Sequence, residues 1–149
     1  ATQAFFDQWI AYERELARVI VYDMTESKRG LYLTLRIGKL GEYETKKNEA
    51  RTWENDGKPQ PGLLSLNWDE DNYPISKLEA PQWELTQIQL LQWWLDIDIV
   101  WGQASSIIAS QERYALETIK NATTVEAVRA APEGMVWDDL PAFPPQPTA

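Results

Sequence analysis

The longest helical pattern in the chain is TQIQLLQWWLDIDIVWGQASSIIASQERYALETIK, residues 86–120. Its apolar residues recur at intervals of three and four, which places them on one helix face: Ile88, Leu91, Leu95, Ile99, Ile108, Leu116 and Ile119. Thr86 can cap the N-terminus of this helix. Residues 95–101 also alternate between apolar and polar side chains, as in a strand, so the pattern does not decide between helix and strand for residues 90–101. Gly102 is a candidate for a break in the helix. The pattern predicts a long C-terminal helix.

Two shorter segments show the same periodicity. Residues 2–19 predict an N-terminal amphipathic helix capped by Thr2, and residues 124–131 predict a short helix that closes at Pro132. Phe5, Phe6 and Trp9 form an aromatic patch on the first of these helices. The patch has two interpretations: it packs into the core of the protein, or it docks in a neighbouring chain.

A β-sheet is expected between the N-terminal and C-terminal helices. Residues 19–24 are rich in β-branched side chains, and residues 31–37 alternate between apolar and polar side chains. The polar segment 25–30 ends in Gly30 and suits a hairpin turn. Residues 63–68 read as a further strand. These patterns predict an α+β fold in which a small antiparallel sheet packs with an N-terminal helix and a long C-terminal helix.

The chain of 149 residues fits one domain, which we expect to span residues 1–131. Residues 132–149 contain five prolines and cannot form a regular core element. We therefore expect an extended, Pro-rich C-terminal arm after the domain.

Composition excludes several classes of function. The formal net charge of −9 disfavours binding to nucleic acid or to an anionic membrane surface, because both require an electropositive face. The chain has no cysteine and no histidine, which excludes disulfides, zinc sites of the usual kind and nucleophile–histidine triads. We expect no cofactor, no metal and a cytoplasmic protein, or one incorporated in a particle assembled in the cytoplasm.

Two acidic segments are candidates for chemistry. Asp96 and Asp98 lie among apolar residues, where carboxyl groups can act as acid and base. They would share a face on a strand but diverge by about 200° on a helix. Asp69 begins an acidic run with Pro74 and Ala80 where a calcium loop requires Gly and Glu, so a solvated turn is the better interpretation.

The C-terminal arm carries three large apolar side chains at intervals of three residues. Trp137, Leu140 and Phe143 would form one ridge on a polyproline II segment, which has three residues per turn. Such a ridge suits a groove on another chain. Disordered tails, by contrast, are poor in large aromatic residues.

These observations favour a non-enzymatic structural or interaction subunit of a larger protein assembly, with a virion or phage particle as one setting. The predicted partner-binding residues are Phe5, Phe6, Trp9, Trp137, Leu140 and Phe143. Two alternatives stay open. One is a carboxylate-dependent enzyme centred on Asp96 and Asp98, and the other is an acidic inhibitor or accessory protein that binds a basic groove.

Overall fold

The computed structural model describes residues 2–33, 40–62 and 67–148. Helices account for the regular structure of these residues, and no strand occurs among them. The helices are α1 (Gln3–Arg29), α2 (Leu40–Asn55), α3 (Pro74–Glu79), α4 (Gln87–Asn121) and α5 (Val125–Ala130). Short 3₁₀ turns cover Glu70–Asn72, Ala80–Trp83 and Ala131–Gly134.

The predicted α+β fold is therefore wrong. Residues 19–24, expected as a strand, continue α1, because Val21 and Thr25 are fully buried on the same helical face as Ala17. This burial outweighs the β-propensity of the β-branched side chains. Residues 31–33 form a turn and a bend, and Asn67 and Trp68 lie outside any strand. Residues 34–37 and 63–66 of the other predicted strands lie outside the described residues.

The three predicted helices are confirmed, with their caps. The hydroxyl of Thr2 accepts a hydrogen bond from the Phe5 amide (3.1 Å), and that of Thr124 accepts from the Ala127 amide (3.1 Å). Thr86 forms a capping box with Gln89: its hydroxyl accepts from the Gln89 amide, and its own amide donates to the Gln89 side chain. Helix α4 continues through residues 90–102 without a break, so the strand alternative for this segment is wrong.

The chain groups into two compact units. Unit 1 comprises Ala1–Leu31 and Gln103–Pro141, and unit 2 comprises Tyr32–Gly102 and Ala142–Ala149. Helix α4 contributes its second half to unit 1 and its first half to unit 2, and the C-terminal residues divide between the units at Pro141.

Unit 1 has a core of small and branched residues where α1 packs with α5 and the second half of α4. Ala17, Ala115 and Ala122 line this core beside Ile10 and Val21. Because alanine side chains are short, the helix backbones can approach closely at these positions.

Unit 2 is rich in aromatic residues. Its core contains Trp53, Trp93 and Trp94, and Trp68, Trp83 and Trp101 pack against it. The carboxylate of Glu49 is buried and accepts hydrogen bonds from the amides of Ile75 (2.8 Å) and Ser76 (2.6 Å), at the N-terminus of α3. A negative charge stabilises that end of a helix, so Glu49 of α2 fixes the position of α3.

Candidate protein-binding surface

Five large apolar residues form an exposed row along α1, called here the outer stripe: Phe5, Trp9, Tyr12, Leu16 and Val19. Their spacing alternates between four and three residues, which keeps them on one side of the helix. Between 42% and 62% of each residue is exposed. Ile20 borders the stripe and is 48% exposed. The face lies open over four helical turns.

The outer stripe is separate from the face that α1 buries. Ile10, Ala17 and Val21 point into the core of unit 1 and are almost fully buried. At 100° per residue, these residues lie ~140° around the helix from the outer stripe. Helix α1 thus has two apolar faces, and the fold of unit 1 covers one of them.

Polar contacts fix the rotation of α1, so the outer stripe is held facing outward. Arg14 donates hydrogen bonds to the carbonyls of Ile119 (3.3 Å) and Ala122 (2.8 Å), where its charge favours the C-terminal end of α4. The Glu13 carboxylate accepts two hydrogen bonds from Arg129 (2.6 and 3.1 Å). These hydrogen bonds from Arg129 lower the pKa of Glu13.

Polar contacts also hold the C-terminal end of α1. The buried Thr25 hydroxyl donates to a carboxylate oxygen of Glu112 (2.6 Å), and Arg29 binds the same oxygen (3.3 Å). Beyond Val19, the next two positions of the outer stripe are Asp23 and Glu26, both exposed. The stripe is therefore apolar up to Val19 and acidic after it.

The predicted partner-binding residues lie in different surroundings. Phe5 and Trp9 belong to the outer stripe, whereas Phe6 is half-buried against the core of unit 1. Trp137 packs against that same core, with the Lys28 ammonium 5.6 Å from its ring centre.

Phe143 packs in unit 2, where its ring meets Trp93 edge-on with the ring centres 6.4 Å apart. The Trp93 indole donates to the Pro144 carbonyl (3.1 Å), and Gln146 donates to the Trp83 carbonyl (2.9 Å). Trp137 and Phe143 are therefore both covered in part by their own chain, in different units. The two rings do not form one exposed ridge with the half-buried Leu140, and partner binding by these three residues stays a prediction.

Asp98 lies in a structural ion-pair network. One of its oxygens accepts a hydrogen bond from the Tyr43 hydroxyl (2.5 Å), and the other accepts two from Arg51 (2.6 and 3.2 Å). Burial, and secondly the bond to Asp98, raises the pKa of Tyr43, while the hydrogen bond to Asp98 raises that of Arg51.

Asp96 does not share this network; its contact is with Gln92 of the same helix (3.0 Å). On α4 the two carboxylates diverge by about 200°. The structure thus does not bring them together as an acid–base pair. The sequence pattern did not identify Tyr43 and Arg51 as partners of Asp98. The spacing of Tyr43, Ala50 and Trp53 could have indicated a buried helix face.

Comparisons with known proteins gave no match: no family model, no curated protein and no solved structure is similar to the chain. Within residues 2–33, 40–62 and 67–148, no helix is both long enough and apolar enough to cross a membrane.

Proposed function

We propose that the chain is a non-enzymatic interaction subunit of a larger protein assembly and that it docks through the outer stripe of α1. The observation that carries this proposal is the size of the open apolar face. With ~150–250 Å² for each aromatic side chain, the exposed fractions of the stripe and Ile20 amount to about 600 Å². The largest apolar patch on a typical monomeric protein measures about 300–600 Å² and is often functional, so a face at the upper end of this range supports an interaction site.

The composition of the stripe supports the same function. Phe5, Trp9 and Tyr12 make up its first half, and aromatic residues dominate the binding energy of protein interfaces. A rigid helix presenting apolar residues at such spacing is a common mode of protein recognition. The C-terminal arm is not part of the proposed surface, and the virion setting has no support in the comparisons, so the proposal leaves it out.

Site-specific photo-crosslinking in the cells that produce the chain tests this function. A photoreactive phenylalanine analogue replaces Tyr12 in one variant and Leu16 in another, and Asp7 in the control. Asp7 is exposed on the opposite side of α1, ~140–180° from these positions. We expect the same cross-linked protein, identified by mass spectrometry, at Tyr12 and Leu16 but not at Asp7.

Two results would contradict the proposed function. One is the absence of a cross-linked protein at both stripe positions. The other is a cross-linking pattern at Asp7 equal to that at Tyr12, since the contact would then be unrelated to the stripe.

A further inference from the structure

We infer that the outer stripe of α1 binds the outer stripe of a second copy of this chain, with the two helices antiparallel. This inference rests on the proposed function and names its partner. Three observations carry it: the charges at the end of the stripe, the order of side chains along it, and its area.

The acidic residues that follow the stripe disfavour a parallel pair. Asp23 and Glu26 continue the four–three spacing of the stripe, so two parallel helices would place Asp23 opposite Asp23 and Glu26 opposite Glu26. Like charges in such a seam are destabilising, because each carboxylate loses water without gaining an opposite charge. In an antiparallel pair, both acidic residues leave the apolar overlap.

In the antiparallel pair, the acidic residues lie beyond the end of the opposite helix. With Tyr12 facing Trp9 of the second copy, Asp23 falls about five residues, or ~7.5 Å, beyond Gln3, the first residue of the opposite α1. Asp23 and Glu26 therefore face no apolar side chain of the opposite stripe.

The order of side chains suits the same register. Trp9 and Tyr12 occupy the centre of the pair, where their rings form two aromatic contacts related by the two-fold axis. Phe5 of each copy then faces the smaller Leu16 of the other. At the edge, the Gln8 amide comes opposite Glu15, which avoids a pair of like charges.

The area of the stripe is sufficient for a weak dimer. In this register Phe5, Trp9, Tyr12 and Leu16 meet the same residues of the second copy, so the two stripes bury about 900 Å² together, in the range of weak interfaces. We therefore expect reversible association with a Kd on the order of 10–100 µM.

Sedimentation equilibrium of the full chain tests the inference, together with two charged variants. Phe5→Lys and Leu16→Glu should each shift the protein to monomer, because each places a charge in the apolar seam. Both positions are exposed, so helix content and melting temperature should stay as in the wild type. Asp7→Lys, on the opposite side of α1, is the matched control and should leave the dimer unchanged.

An equimolar mixture of the two variants decides the orientation. An antiparallel heterodimer has two contacts between position 5 of one chain and position 16 of the other. In one of them the introduced Lys faces the introduced Glu, and in the other the wild-type Phe5 faces the wild-type Leu16. The mixture should therefore recover association to within about tenfold of the wild type. In a parallel pair the introduced charges face apolar residues, so absence of recovery would overturn the antiparallel arrangement.

Two further results would overturn self-association itself. One is a wild-type protein that stays monomeric up to several hundred micromolar, and the other is a dimer that both charged variants preserve. If the chain is monomeric while photo-crosslinks at Tyr12 and Leu16 still identify another protein, the proposed function stands and the second copy is wrong as its partner. If both experiments fail, both proposals are wrong.

Discussion

Replacing Phe143 with alanine tests whether the C-terminal residues stabilise their own chain. Phe143 is half-buried and packs edge-on against Trp93, which is 2% exposed. Truncation of a fully buried Phe to Ala costs about 3–5 kcal/mol. Since part of this side chain stays exposed, we expect a smaller loss, about 2 kcal/mol, from the free energy of unfolding.

Urea denaturation followed by tryptophan emission measures this loss. With a slope of about 1–3 kcal/mol per molar urea, the midpoint should fall by about 1 M. Val136→Ala is the matched control, because Val136 is an apolar residue of the same arm with 51% of its surface exposed. It should change the free energy of unfolding by no more than about 0.5 kcal/mol.

The reasoning fails if Phe143→Ala shifts the midpoint no further than Val136→Ala. It fails equally if the Phe143 variant keeps wild-type stability but changes the sedimentation of the protein. That second result would mean that the ring is covered by another chain, as the sequence alone suggested.

Three further perturbations test the polar contacts. The hydrogen bonds from Arg129 lower the pKa of Glu13, so this carboxylate stabilises the fold above pH ~4.5. The stabilisation is lost as the pH falls through the lowered pKa of the folded protein. Glu13→Gln should thus lower the melting temperature at pH 7, and its difference from the wild type should shrink progressively below pH ~4.5. A difference in melting temperature that does not shrink there would contradict this assignment. Glu49→Gln should cost about 2 kcal/mol in urea denaturation, because an amide donor then faces the two amides at the start of α3; a loss below about 0.5 kcal/mol would contradict it. Burial and the bond to Asp56 raise the pKa of Tyr73 to about 12, so stability should decline as the pH rises from about 10 through that value. Tyr73→Phe should make this decline shallower without removing it, because burial raises the pKa of Tyr43 as well; an unchanged decline would contradict the assignment.

The helices that the sequence predicted correctly are those whose local signals agree. Thr2, Thr86 and Thr124 each precede a segment with helical spacing, and each caps the helix that follows. The sequence pattern does not predict helix α2, because its mean hydropathy is low and most of its residues are polar. Its buried Tyr43 binds Asp98, far along the chain, and such a contact leaves no local signal.

The error in fold class has a definite physical origin. Residues 19–24 have a local preference for strand, yet Val21 gains more by complete burial against the helices of unit 1. Intrinsic propensities differ by less than about 1 kcal/mol per residue, whereas burial of one such side chain contributes about 1.5–3 kcal/mol. Tertiary burial therefore decides the conformation of this segment.

The two faces of α1 show why the candidate surface could be recognised only in part. By size alone, Phe5, Trp9 and Tyr12 are the better core residues, and an aromatic row of this kind usually packs inside. Unit 1 instead buries Ile10, Ala17 and Val21, which pack with small and branched residues of α5 and of the second half of α4. The larger side chains are thus left on the outside of a helix whose rotation is fixed by Arg14 and Glu13. Their exposure contributes nothing to the fold, which is why we propose an interface at this face.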